Sequence, residues 1–170
     1  MSGAALAPAQ MQMMRLLLLA GITVLLGAYG LEYIGGLAPC QLCYYQRIPY
    51  FAAIILGAAA WLRPEITHWI AAVLTLNFLI SAGLGLHHAG VEWQWWAGPA
   101  SCGVIGGDGA TTEQLLAQIL AAPVVRCDEI QWSLFGISLA GYNALISACL
   151  AAWSALIFLK GRKDQIHGRI

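Results

Sequence analysis

Charge is what this sequence has least of. Eight Lys and Arg and eight Asp and Glu stand among 170 residues, 9% in all, and the formal net charge is zero. A soluble domain of this length needs far more charge to cover its surface. No basic stretch offers a field for nucleic acid, and no acidic tail is present. Internal repeats and low-complexity tracts are missing as well. What remains is 60% hydrophobic with a mean hydropathy of +0.72. The excess sits in a few long runs, which places the chain among polytopic membrane proteins.

Four apolar runs stand out, from about Leu16 to Ile34, Tyr44 to Leu62, Thr67 to His88 and Leu134 to Leu159. Each approaches or exceeds the roughly 20 residues a helix needs to cross a bilayer. Helix is forced, because an open strand leaves backbone groups unpaired in lipid. The predicted fold is all-α: one four-helix membrane domain over residues 1–170, rich in Ala and Gly that let helices approach closely. The first run follows Arg15 but exceeds a usual signal-peptide core and lacks a small-x-small cleavage site, so it reads as an uncleaved span. The first dozen residues read as disordered.

Lys and Arg set the orientation. Arg15 precedes the first span, Arg63 lies in the turn between the second and third, and Lys160, Arg162, Lys163 and Arg169 follow the fourth. The positive-inside rule puts both termini in the cytoplasm. The loops at about 35–43 and 89–133 then face outward, where disulfides persist. The long loop opens with Trp93, Trp95 and Trp96, suited to a membrane interface. Thr111-Thr112-Glu113-Gln114 then reads as a capping box, followed by Leu115, Leu116, Ile119 and Leu120 at helical spacing. That spacing predicts a short helix on the membrane surface, ended by Pro123.

Four of the five cysteines fall in these outward loops. Cys40 and Cys43 form a Cys-x-x-Cys at membrane level, able to close a disulfide and exchange it through a mixed disulfide. Cys43 starts a helix and Arg47 follows one turn later, both of which favour a thiolate. Arg47 sits at or inside the membrane boundary, a costly place for charge that points to function. Its expected work is to bind a polar head group arriving from the bilayer; the alternative is an Arg that snorkels and anchors the helix. Cys102 and Cys127 lie in the long loop. As a structural staple they would add about 3 kcal/mol. Beside a second pair at another depth, exchange is the better reading: one pair meets a water-soluble protein, the other a lipid-soluble oxidant. A zinc site would need a second ligand pair at matching spacing, so no metal is expected. His87 and His88 close the third span on the same side and are candidates to hydrogen-bond a quinone oxygen or take a proton, with Glu92 further along the same path. Cys149 falls mid-span and reads as a small core hydrophobe.

The stretch Pro39-Cys40-Gln41-Leu42-Cys43-Tyr44-Tyr45-Gln46-Arg47 resembles the hallmark of the disulfide bond formation protein B (DsbB) family. His88-Ala89-Gly90-Val91-Glu92-Trp93, Gly98-Pro99-Ala100-Ser101-Cys102, and Cys127-Asp128-Glu129-Ile130-Gln131-Trp132 running into Phe135-Gly136-Ile137-Ser138 add to the resemblance. It implies a bacterial inner-membrane, disulfide-generating thiol:quinone oxidoreductase with both cysteine pairs in the periplasm. The implied partner is a DsbA-like thioredoxin-fold oxidase; the implied cofactor is non-covalent ubiquinone or menaquinone from the membrane pool. By position, Cys102 would take the mixed disulfide and Cys127 would exchange with the Cys40/Cys43 pair at Cys40. Cys43 would face the quinone beside Arg47, with His87 or His88 near it. A vitamin K epoxide type reductase also carries a Cys-x-x-Cys in a bundle, but near its last span, which argues against that class. A paralogue with a dedicated partner and a non-catalytic scaffold with structural disulfides are the remaining alternatives.

Overall fold

The computed structural model describes residues 8–98, 111–113 and 125–166. Four long helices form a bundle: α1 Pro8–Tyr33, α2 Gln41–Leu62, α3 Thr67–Glu92 and α4 Leu139–Ile166. A 3-10 turn, Pro64–Ile66, joins α2 to α3. Three of the helices are long and apolar enough to cross a membrane. The other, α2, carries Gln46, Arg47 and Pro49 in its first half. The chain is thus a polytopic membrane protein of the expected class.

The bundle is patterned inside out. Leu19, Leu26, Ile55, Leu76, Ile80, Leu86 and Leu156 are exposed along the helix flanks, where hydrocarbon is the solvent. Small and hydroxyl residues fill the interior, among them Ala53, Ala60, Ala71, Ala151, Ser81, Ser147 and Ser154. Lipid gives apolar side chains no reason to hide, so close packing and interhelical hydrogen bonds hold the helices. Thr75 donates to Ser154 at 3.1 Å and Ser147 to Ser81 at 2.9 Å, both linking α3 to α4. A larger apolar core of Met14, Leu17, Tyr50, Leu74, Phe78 and Ile157 joins all four helices.

Several helix ends lie outside the expected spans; α2 starts at Gln41 and α4 runs on to Ile166. α1 begins at Pro8, inside the stretch expected to be disordered; proline suits a first helical position, where its missing N–H is not needed. α3 runs on to Glu92 instead of stopping at His88. α4 starts at Leu139, not Leu134, because residues before it form a small antiparallel hairpin, so the bundle is not purely helical. Its strands are β1 Ser133–Leu134 and β2 Ile137–Ser138, paired Ser133 with Ser138 and Leu134 with Ile137. Phe135 and Gly136 turn it with φ of 50° and 78°, the sign a tight two-residue hairpin requires. Ser138 then caps α4, its Oγ accepting the Gly141 N–H at 3.2 Å. Of the surface helix expected after Thr111, only Thr112 and Glu113 are described and both are helical; the rest lies outside the described residues.

α3 and α4 come close at Gly85. A Cβ there would lie 2.7 Å from the Ala144 nitrogen and 2.9 Å from its Cα, and backbone cannot yield. Gly85→Ala should destabilise the bundle by about 1–3 kcal/mol, measured as a lower thermal midpoint in detergent. Gly83→Ala, whose added Cβ meets nothing within 4 Å, should leave the midpoint unchanged.

Candidate functional site

The site is built on the first turn of α2. α1 ends at Tyr33, and Gly36 at φ 68° turns the chain back toward the bundle. Cys40 is the N-cap of α2, extended at φ −77° and ψ 173°, and its Sγ accepts the Cys43 N–H at 3.4 Å. The Cys-x-x-Cys spacing is therefore the spacing of a cap and the third helical residue. It sets the two sulfurs 3.1 Å apart, Cys40 donating to Cys43. That bond, and then burial, pushes the Cys40 thiol up to about 12. Cys43 precedes the spanning stretch 44–62 and moves the opposite way. The hydrogen bond accepted from Cys40 draws it below its ordinary value, against the opposing effect of burial. The amides at the helix start favour the same charge. The pair is asymmetric: Cys43 is the natural thiolate and Cys40 the proton holder.

His88 stands over this pair from α3. It is 3% exposed, with Nε2 3.5 Å from Cys40 Sγ and Nδ1 2.6 Å from Gln46 Nε2. The two sulfurs and a ring nitrogen of His88 all lie within 4.8 Å of one another, close enough to pass a proton. His87 points the other way. It is exposed and stacks on Trp96 with ring centroids 5.6 Å apart, away from the cysteines.

Arg47 lies one turn beyond Cys43 and is half-enclosed by three groups. Glu32 of α1 accepts its hydrogen bond at 2.5 Å, and the rings of Tyr29 and Tyr44 lie 4.7 and 5.2 Å from the guanidinium carbon. The side chains of Arg47 and Glu32 are only 10% and 15% exposed, so each charge depends on the other for partnering. Arg47 is thus held in place and does not reach outward for water.

Beside these groups opens a cavity of about 310 Å³. Cys43, Gln46, Arg47 and Tyr50 line one side, at helical positions i, i+3, i+4 and i+7 of α2, with His88 beyond them. Val24, Leu25 and Leu31 of α1 and Leu139 and Ile146 of α4 supply apolar wall. Its volume and chemistry, apolar with few converging polar groups, suit one small ring with an apolar tail.

Cys127 is 1% exposed and packs with Cys40, Leu42 and Val91, with Cys43 against the same cluster. Three of the four cysteines expected to act are thus brought together; Cys102 lies outside the described residues. Cys149 is exposed on the flank of α4, not in the core as expected, since the interior face of that helix is taken by Ser147, Leu150 and Ala151. The sequence reading missed Glu32 and Gln46. Glu32 was findable as the only acid in the first span, where a lone charge demands a partner. Gln46 gave no signal beyond its place in the motif.

The family described as "Disulfide bond formation protein DsbB" matches residues 10–157. Disulfide bond formation protein B of Dechloromonas aromatica is 31% identical over 164 residues, covering 84% of this chain and 92% of the relative. Disulfide bond formation protein B 2 of Pseudomonas syringae pv. syringae is 33% identical over 133 residues, 73% and 74% of the two chains. An uncharacterized protein of Rickettsia prowazekii is 27% identical over 146 residues, 85% of each. No solved structure matches the chain.

The asymmetry of the two thiols gives a direct expectation. In reduced protein near neutral pH, iodoacetamide should label Cys43 about ten-fold faster than Cys40, because the thiolate is the reacting form. Cys43→Ala removes the main cause of the Cys40 elevation, so Cys40 should then ionise at lower pH. Peptide mass spectrometry across a pH series checks both; equal labelling of the two in the native pair contradicts the assignment.

Proposed function

The chain belongs to the DsbB family of disulfide bond formation proteins, and on that premise we propose that it is an inner-membrane thiol:quinone oxidoreductase with its cysteine pairs in the periplasm. Its work on this reading is to reoxidise a DsbA-like dithiol oxidase. The observation that carries it is the double placement of one cysteine pair: Cys43 lines the apolar cavity beside Arg47 and His88, while Cys40 shares a buried cluster with Cys127. The pair therefore adjoins both a site fit for a lipid-soluble ring and a third cysteine.

On this reading the exchanges run from the outer cysteine pair to the inner one. One thiolate of the soluble dithiol partner attacks a Cys102–Cys127 disulfide at Cys102, forming the mixed disulfide and freeing Cys127; the partner's second thiol then displaces Cys102, so the partner leaves as a disulfide. Cys127 attacks the Cys40–Cys43 disulfide at Cys40, a member of its own buried cluster. Cys43 leaves as the more acidic thiol, which is the better leaving group. Cys102, once free of the partner, displaces Cys40 from Cys127, and the Cys40/Cys43 dithiol then recloses as its disulfide, giving up two electrons and two protons; a ubiquinone or menaquinone held in the cavity would supply the acceptor and leave as quinol. Cys43 presents its sulfur to that ring, Arg47 supplies positive charge at the cavity edge, and His88 offers a nitrogen for proton transfer. His87, turned onto Trp96, has no part in this reading. No resident metal is needed for any of these steps.

Anaerobic turnover of the purified protein with a reduced thioredoxin-fold dithiol and a defined quinone, followed by the quinone's ultraviolet absorbance, tests the proposal. Cys43→Ala should abolish quinone reduction while the protein still folds; retained turnover would instead favour a scaffold with structural disulfides. Arg47→Ala should raise the apparent KM for quinone roughly ten-fold, and an unchanged value would return Arg47 to an anchoring role.

A further inference from the structure

A second, smaller cleft lies behind the cysteines. Cys40, Cys43, His88, Glu92, Arg126 and Glu129 are among the residues that line it. Cys43 and His88 also line the large cavity and, with Gln131, Leu139 and Ala140, stand between the two; of the two spaces, Glu92 lines the small cleft. Glu92 ends α3 one helical turn beyond His88, on the same face. Its side chain is 6% exposed, and its carboxylate stands 3.9 Å from His88 Nε2.

A buried carboxylate needs compensation. Ser138 provides it, donating its hydroxyl proton to Glu92 Oε2. That hydroxyl also accepts the Gly141 N–H at 3.2 Å, which orients its proton toward the carboxylate. Ser138 caps α4, so Glu92 also faces the positive end of that helix. Nothing in the packing of α3 against α4 requires this group to be an acid. A neutral residue would fill the place without the need for two compensating devices.

The reaction proposed above, on which this inference rests, has a demand that Cys43 does not meet. Two thiols and a quinone become a disulfide and a quinol: two electrons leave the sulfurs, and both thiol protons end on the ring oxygens. Cys43 has the more readily lost proton. Cys40 holds its own tightly, yet must release it as the sulfur–sulfur bond closes. We propose that Glu92 is a positioning residue that acts through His88, stabilising the imidazolium formed when His88 Nε2 takes the Cys40 proton and passes it toward the cavity. Gln46 holds Nδ1 in either tautomer, presenting its amide nitrogen or its carbonyl. With the carbonyl turned in, Nδ1 carries the hydrogen and Nε2 is open to the thiol. The resulting imidazolium has Gln46 on one nitrogen and Glu92 beside the other.

Among the described residues, the groups facing Glu92 are His88 on its own helix, Cys40 and Cys43 from the start of α2, Ser138 from the hairpin, and Arg126 and Glu129 from the loop before it. Arg126 is exposed at the rim and bound to Asp128 at 2.6 Å and Glu129 at 3.4 Å, so its charge is already partnered. The acid-side dependence of turnover should therefore follow Glu92.

The test uses the full chain in detergent with a reduced thioredoxin-fold dithiol and a short-chain ubiquinone, measured between about pH 5 and 9. Glu92→Gln should lower kcat by about 10-fold or more, keep the quinone KM within about two-fold, and lose the fall of kcat on the acid side. Glu92→Asp should recover much of the rate and the acid-side fall. Ser138→Ala removes a donor that favours the charged carboxylate, so it should move the acid-side fall to higher pH. A Glu92→Gln protein with the rate and profile of the parent overturns this role alone. So does a loss that Glu92→Asp does not recover and that tracks a lowered thermal midpoint. A parent protein that reduces no quinone overturns the functional reading and this role with it.

Discussion

A helix that starts on a cysteine must satisfy its first amides with sulfur. α2 does so: Cys40 caps it, and the Cys43 amide donates to the cap sulfur. Sulfur is a weak acceptor, so Ser or Asp would cap more strongly. What the thiol adds is geometry. A cap and a third helical residue point their side chains at each other, which puts the two sulfurs 3.1 Å apart with one hydrogen shared between them. The same start sets the rotation of the whole helix. Gln46, Arg47 and Tyr50 fall on the Cys43 face at successive turns, and that face is the polar wall of the cavity. Shifting the helix start by one residue would rotate all four away together.

The cavity keeps its shape because its inner end is tied to three helices. Tyr50 donates to Asn143 Oδ1 at 2.7 Å and lies 2.8 Å from Ser147 Oγ, which donates in turn to Ser81. These bonds join α2, α3 and α4 below the cysteines. They are short-range devices and need the helix backbones close. The contact of Gly85 with Ala144 supplies that closeness one turn from Ser81 and Ser147. In water a core of serines would be poor design. In lipid it is a sound one, because hydrocarbon offers hydroxyls no competing partner.

The fold was largely legible because membrane helices announce themselves by length and hydropathy. Boundaries were less so. Leu134 continues an apolar run into α4, and hydropathy alone does not show that Phe135 and Gly136 turn a hairpin. The Ser138 cap three residues before Gly141 carried the true signal. Cys40, Cys43 and Arg47 were readable because their chemistry depends on local helical spacing. Glu32 and Gln46 were not, because their roles depend on which helix faces which. Gln46 meets His88 across 42 residues of sequence, and Arg47 meets Glu32 across 15. The choice between His87 and His88 is likewise one of helix rotation. Adjacent residues on a helix differ by about 100°, so only one faces inward, and only packing decides which.

Two acid–base pairs flank the cysteines and differ in kind. Arg47 and Glu32 bind on the α1 side, and His88 and Glu92 stand together on the α3 side. A guanidinium does not give up its proton in a protein, so Arg47 shapes the field of the cavity and transfers nothing. Its pairing with Glu32 also leaves less net charge for a ligand than a lone arginine would. His88 lines the cavity with Nε2 3.5 Å from Cys40 Sγ, and an imidazole can both accept and donate a proton, so it is placed to move one. Had the two been exchanged, a fixed cation beside Cys40 would favour its thiolate, and no group beside the sulfurs could pass a proton on. The order of the pairs around the sulfurs therefore separates holding charge from moving protons. That separation is what the proposed two-electron, two-proton transfer from the Cys40/Cys43 dithiol would demand.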